Sequence, residues 1–446
     1  MVGSENKNVI ARIDIDPTEE ILVQLMVENS IDRNDDLKAF LSMLDSIQGG
    51  YSFVIDGKWG DGKTFFIKQA ILLLEYLNTR LEGKGESAKP LFGNSRPFVE
   101  LSKDGLFLPV YYNAWQNDIY GDPLFTLVDT LAEASYGNTY RSEKFDNAKK
   151  QQIVELMDTG LNIFGFDLLA KEVKNIFDGE NALDSLNKIK AVNDRLEKLI
   201  TELLKDKADK IILFIDELDR CNPVFAMKLL ERIKFLFSRD NIILVFSTNI
   251  EQLSRTVEAF YGIGFDGERY LSRFYDRKLS LNSVPNKKYL ERLGIFSGHR
   301  FDKAICEMTT MLNFAMRDCN RYSNEAIYIR EKLNRRSPVT MDQYCFQLVI
   351  IPVILAIRIF DTDKYRKIIS GGGFDLLLPY VRGSSYLSKQ VEEYVKKGTK
   401  EGKTLEQYLE EVYTAAFGSD RKLEAWDYDL FELAQLFLSL EPYSRY

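Results

Sequence analysis

The segment from Tyr51 to Gln69 constrains the fold of this chain more than any other. It opens with a run of β-branched and aromatic residues, Ser52–Ile55, and closes with a helical pattern, Thr64–Leu74. Between the two lies the pattern G-x-x-x-x-G-K-[ST], formed by Gly57, Gly62, Lys63 and Thr64. A strand, a glycine-rich turn and a helix in this order predict an α/β fold in which backbone N–H groups surround a polyphosphate.

This phosphate-binding loop, residues Gly57–Thr64, carries the first predicted functional groups. We expect Lys63 to contact the β- and γ-phosphates and the Thr64 hydroxyl to bind Mg²⁺. The residues predicted to contact the nucleotide are Gly57, Trp59, Gly60, Asp61, Gly62, Lys63, Thr64 and Phe65. A glycine-rich turn can also form without a ligand, so the prediction needs a second, acidic motif after another strand.

The second motif follows the apolar run Ile211–Ile215. A fully buried strand there delivers Asp216 and Glu217 to its carboxyl end, the edge at which open α/β sheets bind ligands. We predict that Asp216 holds Mg²⁺ and that Glu217 is the general base for the attacking water. Alone, the two carboxylates could simply be a solvated strand end, but together with the phosphate-binding loop they predict a nucleotide site.

Four segments resemble the KAP family of P-loop NTPases. They are the acidic motif Asp216–Cys221, the segment Tyr111–Gln116, the tryptophan Trp59 in the phosphate-binding loop, and the helical segment Met316–Tyr322. The resemblance extends from about Asp35 to Tyr322. Two positions depart from the family pattern, since Glu217 replaces an aspartate and Thr64 replaces a serine. Both replacements keep the chemical group that the family uses.

The resemblance implies an ATPase with ATP and Mg²⁺ as its ligands. Many relatives carry membrane-spanning helices between the two motifs, and the absence of an apolar stretch of that length makes this chain similar to the soluble branch. Because that branch includes a phage-exclusion protein, the resemblance also implies a role in bacterial antiviral defence. We expect a cytoplasmic protein that acts with further copies of itself or with a partner protein encoded nearby.

Polar residues at two other strand ends are candidates for contact with the reacting groups. Asn249, with Thr248, resembles the first sensor of ATPases that have an inserted central strand, but Asn249 can equally cap the helix that follows. After the strand Leu106–Tyr112, Asn113 is the better candidate for contact with the nucleotide or the attacking water. Trp115 is expected to anchor the core.

Two arginines are predicted to act on phosphate charge. Arg273 belongs to a basic run, with Arg269, Arg277 and Lys278, predicted to lie on a helix. In related ATPases an arginine placed here reaches the γ-phosphate of a neighbouring subunit, although a solvated helix face is the alternative. Arg317 lies four residues from Arg321 on a predicted helix and resembles a second sensor in a lid, with ordinary salt bridging as the alternative.

The overall composition excludes several classes of protein. The 446 residues carry a formal net charge of −8, so no general attraction to nucleic acid is expected. The basic cluster with Arg330, Arg335 and Arg336 keeps a nucleic-acid contact open but disfavoured. One histidine and four cysteines without a C-x-x-C pair argue against zinc sites, histidine-dependent triads and a disulfide framework.

We therefore predict an α/β P-loop NTPase core with a mostly parallel sheet, followed by an α-helical C-terminal domain. The predicted divisions are an N-terminal extension at 1–34, the core at 35–290 with a helical insertion at 138–205, and a helical lid and C-terminal domain at 291–446. The long amphipathic helix Leu183–Leu203 is expected to face the core, with a coiled coil as the alternative. Phe346–Phe360 is expected to be a buried helix.

The predicted activity is Mg²⁺-dependent hydrolysis of ATP through Walker A and Walker B motifs, used as a switch or a motor. No guanine-recognition signature occurs in a suitable place, which favours ATP over GTP. Two alternatives stay open. One is a signalling scaffold that binds nucleotide with negligible turnover, and the other is a DNA-associated ATPase.

Overall fold

The computed structural model describes residues 16–93, 96–101, 106–136, 151, 153–155, 182–236, 239–281, 287–296, 298–333, 338, 340–397, 402–418 and 425–439. The chain forms two compact units. We call them the α/β unit, Pro17–Asn29 with Arg33–Asn282, and the helical unit, which includes Ser283–Tyr446. The predicted divisions at 34/35 and 290/291 stay predictions. Most of the predicted insertion, from residue 138 to residue 181, lies outside the described residues. Arg335 and Arg336 also lie outside them.

A five-stranded sheet forms the centre of the α/β unit, and every pair of neighbouring strands is parallel. The strands are β1 (Tyr51–Asp56), β2 (Phe107–Asn113), β3 (Lys210–Asp216), β4 (Ile242–Thr248) and β5 (Arg277–Ser280). Their order across the sheet is β2-β3-β4-β1-β5. The predicted parallel sheet is confirmed, and β4 lies between the strand of the phosphate-binding loop and the acidic strand.

Helices cover both faces of this sheet. They are α1 (Glu19–Glu28), α2 (Asn34–Asp45), α3 (Lys63–Leu77), α4 (Ala114–Asn117), α5 (Pro123–Tyr136), α6 (Ala182–Leu204), α7 (Pro223–Leu236), α8 (Ile250–Tyr261) and α9 (Gly267–Leu271). Short 3₁₀ turns occur at Glu86–Leu91, Asp118–Tyr120 and Leu218–Arg220. Parallel strands are continuous apolar runs because helices bury both of their faces.

Alternate residues of β3 show how the two faces are filled. Ile211, Leu213 and Ile215 belong to one buried cluster, whereas Ile212 and Phe214 belong to the other. Successive side chains of a strand point to opposite faces, so one strand contributes to both cores. The first cluster also includes Val192, Leu196, Ile200 and Leu203 of α6. The interpretation of α6 as a helix with an intramolecular core face is therefore confirmed.

The register of the sheet brings several polar strand ends together. Asp216 at the end of β3 pairs with Asn113 on one side and Ser247 on the other. Asp56 at the end of β1 pairs with Thr248. Because the strands are parallel, these carboxyl ends meet at a single edge of the sheet, next to the phosphate-binding loop.

The helical unit contains helices throughout its described residues. They are α10 (Lys287–Arg292), α11 (Arg300–Met311), α12 (Met316–Leu333), α13 (Met341–Cys345), α14 (Ile351–Phe360), α15 (Thr362–Ile369), α16 (Phe374–Gly383), α17 (Ser385–Lys397), α18 (Leu405–Phe417) and α19 (Ala425–Ser439). A π-helical turn, Phe346–Ile350, joins α13 to α14. The predicted helical C-terminal region is confirmed.

One helical stretch in the described ranges, Met341–Phe360, is long and apolar enough to cross a membrane by length and composition alone. Its mean hydropathy is 1.9, yet 72% of its apolar window is buried within the protein. The core helix of a helical bundle has the same properties. The carbonyl oxygen of Pro352 accepts a hydrogen bond from the buried hydroxyl of Tyr322 at 2.7 Å, which ties this helix to α12.

Candidate active site

Two glycines give the phosphate-binding loop its curvature. Gly60 and Gly62 have φ angles of 94° and 81°, in the left-handed region that favours glycine. Gly62 immediately precedes α3, so the loop feeds directly into the N-terminus of that helix. Unpaired N–H groups of a first helical turn and the helix dipole favour an anion at this position.

Lys63 lies inside the loop, with only 9% of its surface exposed. Its ammonium donates hydrogen bonds to the carbonyl oxygens of Gly57 at 2.6 Å and Lys58 at 3.0 Å. Burial lowers the pKa of Lys63, against the opposing effect of nearby carboxylates, the first of which is Asp219. A polyphosphate in the loop would give this ammonium a far stronger anionic partner than two carbonyl groups.

Asp61 is part of the internal framework of the loop. One carboxylate oxygen accepts a hydrogen bond from the N–H of Lys58 at 2.7 Å, and the side chain is 4% exposed. The guanidinium of Arg33 donates to the carbonyl oxygen of Asp61 at 3.2 Å. Burial raises the pKa of Asp61. A β-carbon on Gly57 would approach this carboxylate to 3.3 Å, so the side chain packs directly against that glycine.

Asp216 links the acidic strand to the loop. One oxygen of its carboxylate accepts hydrogen bonds from the Thr64 hydroxyl at 2.8 Å and the Tyr111 hydroxyl at 3.1 Å. The other accepts from the Ser247 hydroxyl at 2.7 Å and the N–H of Glu217 at 3.0 Å. Burial, and then the negative charge of Asp216, raise the pKa of Tyr111, which keeps this hydroxyl a donor. Thr64 and Asp216 therefore lie side by side, as their predicted roles require.

Glu217 is held in place from two sides. Its φ angle of 62° lies in the left-handed region, which is unfavourable for a residue with a β-carbon. The Arg220 guanidinium contacts one carboxylate oxygen at 2.9 Å, and the amide nitrogen of Asn113 donates to the other at 3.4 Å. The amide oxygen of Asn113 also accepts from the N–H of Gln116 at 3.0 Å, which orients the amide.

Asp219 is a member of the site that the sequence analysis did not single out. Its carboxylate accepts a hydrogen bond from the indole N–H of Trp59 at 2.5 Å and another from the Thr248 hydroxyl at 3.0 Å. Asp219 thus connects the phosphate-binding loop with the end of β4. The position of Asp219 within the acidic motif could have marked it as a candidate site residue. The spacing alone does not show that the 3₁₀ turn points its carboxylate toward Trp59.

Asn249 caps helix α8. Its side-chain oxygen accepts a hydrogen bond from the N–H of Gln252 at 3.2 Å. The next N–H, that of Ile250, donates to Asp56 at 2.9 Å, so the start of the helix is fixed to the end of β1. The capping interpretation is confirmed, and the sensor role of Asn249 stays a prediction.

The comparison with known protein families agrees with this geometry. The profile of the KAP family P-loop domain matches residues 34–291, more than half of the chain. The chain belongs to the KAP family. No curated protein matches its sequence. Membership of this P-loop family makes nucleoside triphosphate binding and hydrolysis the activity that the site supports.

The segment Tyr111–Gln116, at the end of β2, departs from one expectation. Trp115 was expected to anchor the core, but it is 49% exposed, so that prediction is wrong. Its ring lies 5.7 Å from the guanidinium carbon of Arg220. Trp115 is the second residue of the short helix α4, and its side chain lies over the arginine instead of entering the core. Phe65, by contrast, packs on the buried cluster behind α3.

Of the basic run around Arg273, only Arg269 lies in a helix. Helix α9 ends at Leu271, Arg273 lies in the turn after it, and Arg277 opens β5. The turn is fixed because the N–H of Asp276 donates to Ser52 and its carboxylate accepts from the N–H of Ser52, each at 2.8 Å. Arg273 thus lies where β1 begins, at the opposite edge of the sheet from the phosphate-binding loop. Within its own KAP domain it cannot reach the nucleotide.

Two further arginines lie in the helical unit. Arg317 is exposed near the start of α12, and its predicted role as a second sensor stays a prediction. Arg330 contacts both carboxylate oxygens of Asp302, which is fully buried. One guanidinium nitrogen of Arg330 makes both contacts, and a charged pair with a buried carboxylate is a structural interaction, so Arg330 is already engaged within the chain.

Proposed function

We propose that this KAP-family chain hydrolyses ATP in a Mg²⁺-dependent reaction. One observation carries the proposal. The Thr64 hydroxyl and the Asp216 carboxylate are 2.8 Å apart, directly after a loop whose lysine is buried. Hydroxyl and carboxylate oxygens suit Mg²⁺, which takes few protein ligands together with water and phosphate oxygens. Bound Mg²⁺ would neutralise charge on the transferred phosphoryl group.

The remaining groups fit the steps of hydrolysis. Lys63 would exchange its two carbonyl partners for phosphate oxygens and offset their negative charge. Glu217 would accept a proton from the attacking water as the water oxygen bonds to the γ-phosphorus. The bond from that phosphorus to the bridging oxygen breaks, and ADP leaves with the electron pair. Asn249 is proposed to orient the water with its amide nitrogen, since its amide oxygen is used by the helix cap.

The proposed arginine roles differ in what they need. Arg273 lies at the far edge of its own sheet, so a role on phosphate would require the nucleotide of another subunit. Arg317 would act as a lid residue when the helical unit closes on nucleotide. We also propose that the protein acts as a switch or motor in the cytoplasm and takes part in antiviral defence. Likeness to the KAP family supports this role, and no contact within the site bears on it.

Phosphate release from ATP by the full chain tests the proposal. Wild-type protein is compared with Glu217→Gln and Lys63→Ala, and with Glu392→Gln as a matched control at an exposed glutamate in α17. Glu217→Gln is expected to lower turnover at least about 100-fold with ATP binding intact, and Lys63→Ala to remove binding. The control should behave as wild type, and omission of Mg²⁺ should abolish turnover.

The same assay separates the alternatives. Nucleotide binding that Lys63→Ala removes, without turnover in wild type at any protein concentration or with DNA, would refute the ATPase and leave a nucleotide-binding scaffold. Turnover that only DNA elicits, with steep salt dependence, would support the DNA-associated alternative. A rate per subunit that rises with concentration and is lost in Arg273→Ala would support an arginine supplied by another subunit.

A further inference from the structure

An exposed apolar turn joins α8 to α9 in the α/β unit. We call residues Gly262–Phe265 the apolar tip. Ile263 is fully exposed at its apex. Gly262 and Gly264 flank this residue with φ angles of 114° and 88°, in the backbone region that favours glycine. Single exposed apolar residues are common, so the tip needs a further property to indicate binding.

Stacked aromatic rings hold the apolar tip in one shape. The ring of Tyr261 stacks on that of Phe265, with centroids 4.5 Å apart, and both rings contact Tyr270 at 5.3 Å and 5.7 Å. The N–H of Gly264 also donates to the Glu258 carboxylate at 3.3 Å. An apolar side chain presented on a preorganised support loses little entropy on binding, which is the property of an interface anchor.

A cavity of about 330 Å³ opens near the tip, where β1 and β4 begin. Its apolar lining includes Tyr51, Leu244, Phe274 and Tyr275. The ring of Phe274 lies 5.2 Å from that of Tyr270, so the aromatic row that supports the apolar tip continues into the wall of the cavity. The tip and the cavity are therefore neighbours on one face of the α/β unit, and the cavity has the size that one or two side chains fill.

The two features carry opposite charge. Three carboxylates, Glu258, Asp266 and Glu268, and one cation, Arg269, flank the apolar tip in the sequence. Lys234, Arg239 and Arg273 line the cavity, together with Asp240 and Asp276. The Arg239 guanidinium already contacts the Glu197 carboxylate at 3.3 Å. The Asp276 carboxylate is already used by the N–H of Ser52 at 2.8 Å. Arg273 is exposed, and among the described residues its guanidinium has no hydrogen bond or ion pair, so its charge is available to a partner.

We propose that a second copy of this chain binds here, with the apolar tip of each copy in the cavity of the other. A two-fold interface needs a surface that is complementary to itself. The apolar tip and the neighbouring cavity, which carry opposite charge, meet that requirement. Burial of Ile263 supplies the apolar contact, and the carboxylates around the tip face the cations of the partner's cavity. Local complementarity offsets the repulsion between two chains of net charge −8.

This dimer gives Arg273 a role other than catalysis in a neighbouring subunit. An arginine on the basic side of a two-fold interface is not free to reach a phosphate-binding loop. Turnover per subunit is then expected to be independent of dimer formation. The oligomeric state is measured without nucleotide, so its outcome is independent of whether the protein hydrolyses ATP.

Sedimentation equilibrium of the full chain, from 0.5 to 50 µM, tests the proposal. The key variant is Ile263→Asp, and the matched control is Ile119→Asp, which replaces an isoleucine that is 78% exposed at the opposite edge of the sheet. We expect Ile263→Asp to raise the dimer Kd at least about 100-fold, since two copies of the side chain are lost. The control should leave the Kd within about threefold of wild type.

A charge exchange gives the second measurement. Glu268→Lys and Arg273→Glu should each weaken the dimer about tenfold or more, and the double variant should recover most of the loss. Raising NaCl from 0.05 to 0.5 M should also weaken association. A monomeric wild type over this range, or a dimer that Ile263→Asp leaves intact, would overturn the proposal. In the second case the cavity would serve a small anionic ligand or another interface.

Discussion

Replacement of Arg220 by alanine should increase the rate of ATP hydrolysis. The guanidinium contacts the Glu217 carboxylate at 2.9 Å, and the two side chains are 26% and 18% exposed. A proton acceptor that is paired with an arginine must loosen that pair to polarise a water molecule. Partly exposed pairs of this kind contribute about 1 kcal/mol, which corresponds to about fivefold in rate. We therefore expect Arg220→Ala to raise kcat about fivefold.

The assay is steady-state phosphate release as a function of ATP concentration. The KM for ATP should stay within about twofold, since Arg220 does not touch the phosphate-binding loop. Arg220→Lys, which keeps the charge but not the planar geometry, should give an intermediate kcat. Arg220→Ala combined with Glu217→Gln should be inactive, because the gain acts through that carboxylate. A kcat for Arg220→Ala that falls more than twofold, with normal thermal stability, would refute the reasoning and make Arg220 a residue that places Glu217 for reaction.

Three further predictions follow from the geometry. Asn249→Asp keeps the helix cap and should unfold like wild type while kcat falls at least tenfold, whereas Asn249→Ala should also lose about 1 kcal/mol of stability in urea unfolding. Burial lowers the pKa of Lys63 below 10.5 and bound phosphate favours its ammonium form, so ATP affinity should fall as pH rises toward 10.5. Isothermal titration at several pH values measures this, and an invariant affinity would contradict it. Gly267→Ala would place a β-carbon 2.3 Å from the carbonyl oxygen of Ser254 and should cost about 1–3 kcal/mol. Gly372→Ala, where nothing lies within 4 Å, should be neutral in the same unfolding assay.

The central features of the fold could be predicted because their signals are local. The phosphate-binding loop has fixed spacing between a strand and a helix, and the buried strands are uninterrupted apolar runs that indicate a parallel sheet. The position of β4 between the two motif strands agrees with the comparison to ATPases that have an inserted central strand. The helical C-terminal region was predicted only as helical, because its sequence contains no motif that fixes how its helices pack.

The site was predicted less completely, since its geometry depends on contacts between distant residues. Asp219 contacts Trp59 from 160 positions away, and no spacing within the acidic motif indicates this. The four-residue steps of Arg269, Arg273 and Arg277 match a helix, but the hydrogen bonds between Asp276 and Ser52 fix a turn and a strand instead. At this position the hydrogen bonds to β1 outweigh the local preference of the sequence for a helix.

The end of β4 also has a consequence for how mutations in this site combine. Ser247 and Thr248 are consecutive, so their hydroxyls leave the strand on opposite faces, one toward Asp216 and the other toward Asp219. Loss of the first hydroxyl weakens the support of the carboxylate beside Thr64, and loss of the second weakens the support of the carboxylate beside Trp59. Both carboxylates act on the Lys63 ammonium, so the two effects should be coupled and not simply additive. Two adjacent hydroxyls of one strand thus support two different carboxylates that meet again at a single lysine of the phosphate-binding loop.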